Sequence, residues 1–274
     1  MSSVVRPSDL AEALQLRAGG YKLLAGGTDL YPTASAILRG NFVDLTSLAA
    51  LQGITFNNGL RIGACTTWRD IAEARLPPAL ISLQQAAIVV GGRQIQNAGT
   101  IGGNLCNASP AADGIPPLLC LDAAVELASA TGTRRVALQS WLLGPRRVDL
   151  RDGEILSAIH LPQAALTGRS AFVKLGARSH LVISIAMVAV RIVSQGGKIT
   201  KARVAVGACA PTACRLPAVE AALIGAGISR TSDHITEAIV APGLAPVDDI
   251  RAPAAYRLTA ATELIRRAVA EAAR

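Results

Sequence analysis

The chain has 274 residues, enough for one large domain or two smaller ones. Hydrophobic residues make up 51% and charged residues 17%, which excludes a disordered chain, and an aromatic content of only 3% predicts a core of Ala, Val, Leu and Ile. The net charge of +8 raises nucleic acid as a partner, but the basic residues are scattered in runs of no more than two and do not alternate with aromatics. The charge therefore reads as general surface suited to an acidic partner subunit or an anionic ligand, not to nucleic acid.

In chain order, Pro7, Ser8 and Asp9 precede an amphipathic stretch that stops at Gly19-Gly20, which predicts a short helix with an N-cap and a glycine stop. Residues 21–25 read as a brief buried strand. It runs directly into Gly26-Gly27-Thr28-Asp29, and residues 30–38 look helical. A strand, a glycine turn and a helix start can expose backbone donors to a phosphate. The same residues also fit a plain tight turn, since they match neither GxGxxG nor a Walker loop. Residues 42–45 form a second strand. Residues 54–56 and 60–63 flank Asn57-Asn58-Gly59, a hairpin signal. Thr67 and Asp70 form a capping-box variant opening a helix, and Pro77-Pro78 start another that runs to about Val89.

Residues 90–122 then carry six of the 25 glycines, including a Gly102-Gly103-Asn104 turn, with small side chains, amides and almost no charge. Such a stretch builds a core poorly but lets a ligand lie against bare backbone. Its end, residues 111–121, reads as a helix. Strands are expected at 124–128, 134–138 and 155–160, with a basic, turn-like segment between them at Arg146-Arg147. Residues 163–169 are a candidate domain boundary, dividing the chain into 1–168 and 169–274. Beyond it, residues 184–193 and 199–208 flank Gln195-Gly196-Gly197-Lys198, a strong antiparallel hairpin. Helices follow at 216–223, 232–240 and 259–273. Strands and helices mix without a βαβ repeat, so the expected class is α+β.

Five cysteines lie apart, with no CxxC, and read as reduced, small, buried side chains with no capacity for a metal or iron–sulfur centre. His160 and His234 show no partner pattern. No residue reads as catalytic or as a metal ligand. The first ten residues lack a signal-peptide pattern and no apolar run is long enough to span a bilayer, so a cytoplasmic protein without a membrane span is expected.

The two glycine segments say more together than either does alone. The run Leu23, Leu24, Ala25, Gly26, Gly27, Thr28, Asp29, Leu30 resembles the first FAD-binding segment of the flavoprotein subunits of molybdenum hydroxylases, the xanthine dehydrogenase and carbon monoxide dehydrogenase families. The run Thr100, Ile101, Gly102, Gly103, Asn104 and then 107–113, ending at Asp113, resembles their second. Residues 246–257 are similar to their closing segment, so the resemblance covers essentially the whole chain.

The resemblance implies a two-lobed α+β FAD-binding domain, followed by a small C-terminal domain of three antiparallel strands packed on helices. It implies that the backbone of residues 24–28 cradles the FAD pyrophosphate and that Gly102, Gly103 and Asn104 form the second wall, with Thr100 hydrogen-bonding nearby. Asp113 would contact the polar part of FAD; the alternative for it is a helix N-cap. Val90 would be an apolar contact or a core position. Lys174, Arg178 and Ser184 lie in a segment, 172–184, that passes near the isoalloxazine in the family, although solvated surface suits Arg178 and His180. Asp248, Asp249 and Arg251 read as an ion-paired turn.

The resemblance further implies a molybdenum cofactor on a large partner subunit and 2Fe-2S clusters on a small one, in a dimer of heterotrimers. This chain would take electrons from the clusters and pass them to an external acceptor. The inserted four-cysteine cluster loop of relatives acting on aromatic acyl-CoA thioesters is absent, which favours an ordinary hydroxylase. The alternatives are a stand-alone FAD-dependent oxidoreductase of related fold and a non-catalytic accessory module.

Overall fold

The structure is a computed structural model that describes residues 3–34, 38–178 and 181–274. The N-terminal lobe is a parallel three-stranded sheet of β1 (Ser3–Val5), β2 (Lys22–Leu24) and β3 (Asn41–Asp44), in the order β1-β3-β2. Helix α1 (Leu10–Ala18) crosses from β1 to β2. It begins where the Asp9 side chain accepts the Glu12 N–H at 2.9 Å and ends at Gly19, as the sequence predicts. Helix α2 covers Leu30–Thr33, shorter than the expected 30–38; residues 35–37 lie outside the described residues. Ala13, Leu14, Val43, Leu45 and Leu51 close a small core that also takes in Ile155 from the second lobe.

The second lobe is an antiparallel sheet. Strands β4 (Ile54–Phe56) and β5 (Gly59–Gly63) form the expected Asn-Gly hairpin, with Asn58 at φ 52°. Helix α3 (Trp68–Glu73) carries the predicted Thr67–Asp70 capping box. Then come α4 (Ile81–Val89), α5 (Arg93–Ala98), α6 (Ile101–Asn107) and α7 (Ile115–Cys120), before β6 (Ala124–Ser129), β7 (Gly132–Ala137), α8 (Leu138–Trp141), a small ribbon of β8 (Leu142–Gly144) and β9 (Arg147–Val148), and β10 (Ile155–Pro162). The sheet order is β4-β5-β10-β6-β7. The His160 ring, for which the sequence suggested no partner, sits 2.8 Å from the Glu126 carboxylate across the β6–β10 pair.

One ion cluster fastens β7 to the loop before β10. Arg134 donates to Asp149 at 2.8 Å and to both oxygens of Glu154 at 2.7 and 2.9 Å. The Arg134 hydrogen bonds hold the Glu154 carboxyl below its ordinary value of 4.5, against the opposing effect of burial. A carboxyl lowered by folding stabilises above its unfolded pKa, and the benefit disappears as pH falls through the folded value. We expect thermal melts to hold level down to about pH 4.5 and to fall below it. The fall should be smaller in Arg134→Met; equal acid sensitivity in the two proteins would contradict the assignment.

The C-terminal part is an antiparallel sheet of β11 (Arg169–Leu175), β12 (Ala186–Gln195), β13 (Lys198–Gly207) and β14 (Cys214–Arg215), in that order. It has the expected three long strands plus a two-residue edge. Helices α9 (Pro217–Leu223), α10 (Glu237–Val240) and α11 (Ala254–Ala272) follow. The expected helix at 232–240 is instead a run of 3-10 turns at Ile228–His234 followed by α10. Helix α11 starts five residues earlier than its apolar pattern, because the Asp248 carboxylate accepts the Ala254 N–H at 2.6 Å. Both faces of this sheet are covered. Val188, Val190, Val204 and Val206 pack towards Leu264 and Ile265 of α11. Phe172, Met187, Ala189 and Ala205 join the core of the second lobe, with Leu83 and Leu118. A strand buried on both faces reads as a continuous apolar run, which explains residues 186–190.

Candidate functional site

The two glycine segments meet in space. A Cβ on Gly26 would fall 1.9 Å from the Ala98 carbonyl oxygen and 2.6 Å from its carbon, so the turn after β2 lies directly on the backbone that enters α6. Gly27 has φ 69°, the left-handed region. Its carbonyl accepts the Tyr31 N–H at 2.9 Å, which starts α2. Among the described residues, the N–H groups of Gly26, Gly27 and Thr28 have no acceptor within the chain. Three successive free donors around a left-handed glycine form a concavity for an anion.

The second segment behaves differently from its sequence expectation. Gly102-Gly103-Asn104 is the first turn of α6, not an isolated turn, and Thr100 is its N-cap. Its donors are already used. Ile101 N–H reaches Thr66 O at 3.0 Å, Gly102 reaches Ala64 O at 2.8 Å, Gly103 reaches Thr100 Oγ1 at 3.1 Å and Asn104 reaches Thr100 O at 3.1 Å. This wall therefore contributes a low surface and the Asn104 side chain, whose Oδ1 is buried without a hydrogen-bond partner among the described residues. A buried amide oxygen left unpaired is costly, and a bound polar group would relieve it.

At another end of the site lies a buried polar cluster. Lys174 Nζ donates to Asp113 Oδ2 at 2.7 Å, and Ser184 Oγ donates to Asp113 Oδ1 at 3.0 Å. Arg251 Nη1 in turn donates to the Ser184 carbonyl at 3.0 Å. Burial pushes the Asp113 carboxyl up, while the Lys174 charge and the hydrogen bonds from Lys174 and Ser184 oppose it. Asp113 is not the cap of α7; Gly114 holds that position.

Gly26, Gly27, Thr28, Asn104, Asp113 and Lys174 all border one cavity of about 810 Å³. That is within the range of cofactor sites, roughly 300–1,000 Å³. Leu23, Ala25, Gly26, Gly27, Thr28, Asp29, Leu30, Val90, Thr100, Gly102, Gly103, Asn104, Asp113 and Lys174 line it. Leu24, Ile101 and Ser184 stand behind the wall, each under 5% exposed. Arg178 does not line the cavity; its guanidinium donates to the Leu181 carbonyl and shapes the loop at the mouth. His180 lies outside the described residues, and His234 is exposed in a 3-10 turn. Asp249 and Arg251 form the expected ion pair.

Sequence reasoning missed Arg17, Lys22 and Arg146 as site residues; they line the cavity together with Gly91 of the 90–122 stretch and Leu181, Val182 and Ile183 of the 172–184 segment. Gly91, at φ 56°, is part of a Gly-Gly pair; Arg17, Lys22 and Arg146 carry no local signal. Burial pushes the thiols of Cys65 and Cys106, both on the wall, up to about 12, so they are neutral there. Among the described residues no group of His, Cys, Asp and Glu is arranged to hold a metal ion, and no helix is long and apolar enough to cross a membrane.

Residues 1–164 match the family described as the FAD binding domain in molybdopterin dehydrogenase, and residues 171–272 match the CO dehydrogenase flavoprotein C-terminal domain. The chain belongs to the flavoprotein subunits of the molybdenum hydroxylases. It is similar to the xanthine dehydrogenase FAD-binding subunit of Escherichia coli O157:H7, 34% identical over 280 residues that cover 99% of this chain and 96% of the relative. The carbon monoxide dehydrogenase medium chain of Afipia carboxidovorans is 32% identical, with 97% and 95% covered. In the solved structure of reconstituted CO dehydrogenase from Oligotropha carboxidovorans, one chain superposes with a TM-score of 0.90 at 30% identity, covering 100% of this chain and 97% of that one.

As a flavoprotein subunit of this family, the chain is an FAD-binding oxidoreductase subunit; in the family the molybdenum and iron–sulfur cofactors belong to partner subunits. The cavity fits that cofactor: free N–H donors suit a pyrophosphate, and the contact of Gly26 with Ala98 leaves no room for a side chain between the two walls.

Proposed function

We propose that this subunit takes electrons from the 2Fe-2S clusters of a small partner subunit and passes them to an external acceptor, while a large molybdenum subunit oxidises the substrate. The observation that carries this reading is the single cavity joining three free backbone donors at Gly26 to Thr28 with the Asp113–Lys174 pair. Bound FAD supplies the redox chemistry; the chain supplies binding, orientation and electrostatics.

The Gly26, Gly27 and Thr28 amides hold the pyrophosphate oxygens, and the Asn104 side chain completes that wall. Asp113 fixes the Lys174 ammonium beside the flavin end, with Ser184 and Arg251 bracing Asp113 from behind. Leu181, Val182 and Ile183 form an apolar rim there. Leu181 and Ile183 are 58% and 63% exposed, so this end stays open to a partner. We assign the chain to a cytoplasmic dimer of heterotrimers, with an FAD domain over 1–168 and a C-terminal domain over 169–274. Relatives act, by name, on xanthine, carbon monoxide and glyceraldehyde, so the shared element is the flavin subunit and the substrate is set by the molybdenum subunit.

The test is the purified chain. It should carry FAD, seen as visible flavin absorption and identified by chromatography after denaturation, and it should copurify with iron- and molybdenum-containing subunits when coexpressed. Rapid mixing of that complex with reducing substrate should reduce the iron–sulfur centres and then the flavin. A colourless chain that takes up no added FAD would sink the reading; flavin reduced by substrate without partner subunits would favour a stand-alone oxidoreductase.

A further inference from the structure

Arg17 sits in the last turn of α1 with its Nε buried and without a hydrogen-bond partner. Among the described residues its side chain makes one hydrogen bond, a long contact of 3.4 Å from Nη1 to the Tyr21 carbonyl, and no ion pair. It lines the cavity, to which the core of the N-terminal lobe also contributes the apolar side chains of Leu23, Leu45 and Ile155. Arg146 lines the same cavity. It is held at φ 55°, with its N–H on the Ala108 carbonyl at 2.9 Å and Nη1 on the Asn107 side-chain oxygen at 2.7 Å. Among the described residues neither guanidinium is neutralised by a carboxylate, whereas the Lys174 ammonium at the flavin end is.

A partly desolvated guanidinium with an unpaired Nε and a single long hydrogen bond calls for a ligand that brings acceptors. The apolar walls call for a flat, largely uncharged body, on which a guanidinium plane can also stack.

We propose that Arg17 recognises the adenosine monophosphate half of the cofactor and, with Arg146, makes the cavity select FAD over FMN. This rests on the FAD reading above. The AMP half supplies what the site lacks: phosphate and ribose oxygens as acceptors, and a planar base between the aliphatic side chains. FMN ends before this region and leaves Arg17 unserved.

The experiment uses the full chain, stripped of flavin and titrated separately with FAD and FMN, following flavin fluorescence. In Arg17→Met, loss of a charge-assisted hydrogen bond should weaken FAD roughly ten- to hundredfold and FMN by less than about twofold. Arg17→Lys, which keeps charge but not the fork, should fall between, and it carries the same comparison if the Met variant fails to fold. A parallel loss for both flavins, or an unchanged FAD affinity, would reduce Arg17 to a cation at a helix end and overturn the proposal. If the unaltered chain binds neither flavin, the FAD reading itself fails.

Discussion

Gly26→Ala should cost this subunit its flavin while leaving it folded. The added methyl would lie 1.9 Å from the Ala98 oxygen and 2.6 Å from its carbon, both backbone atoms that no rotamer change can move. The turn must retreat from the entry to α6, carrying the three free amides away from Asn104. Overpacking of this kind costs about 1–3 kcal/mol before any donor is displaced. Together with lost donors, FAD affinity should fall by roughly a hundredfold or more. Gly103→Ala is a milder change, because its Cβ would meet only Thr100 Oγ1 at 3.0 Å. Flavin-to-protein ratios after gel filtration, with circular dichroism melts of both variants, separate loss of cofactor from loss of fold. A Gly26→Ala protein as yellow as its parent would refute the role given to this contact.

The largest effect on stability is expected at Arg257→Met. Arg257 is fully buried on α11 and donates to Ile185 O at 2.6 Å, Ala208 O at 3.1 Å, Ala252 O at 3.3 Å and Asp249 Oδ1 at 2.6 Å. Methionine fills similar space but strands those carbonyls and removes one of the two cations beside Asp249. Breaking a buried charged network costs about 3–5 kcal/mol. Urea denaturation of the two proteins measures it, and a loss below about 1 kcal/mol would contradict this accounting. The damage should reach the site, since Ile185 follows Ser184, which braces Asp113. Lysine offers no fork to span the same acceptors.

What could be read from the sequence was what is decided locally. The Asn57-Asn58-Gly59 and Gly196-Gly197 hairpins, the Thr67–Asp70 capping box and the glycine turn after β2 depend on a few adjacent residues, and each formed where expected. Gly102-Gly103-Asn104 read as a turn because glycine and asparagine are poor helix formers. In the structure the Thr100 cap and the packing of Gly102 against Ala64 override that preference. The polar stretch of α5 and the three-residue strand β1 carried too little periodicity to register. Strand β11 was hidden because its meaning lies in pairing with β12, which is also what brings Lys174 to Asp113. Arg17 and Arg146 were invisible as site residues for a plainer reason: nothing in a sequence distinguishes an arginine turned inward from one in water.

The sheet of β11 to β14 has one more consequence. Its inner face, through Phe172, Met187, Ala189 and Ala205, completes the same core as Leu83 and Leu118, and the Phe172 N–H donates to the Gln85 side chain at 2.7 Å. The boundary proposed near residue 168 therefore divides the chain without dividing this core. The C-terminal part is no cartridge that can be exchanged between relatives: a chimera joined there inherits a mismatched interior unless those four side chains and their counterparts on α4 and α7 travel together.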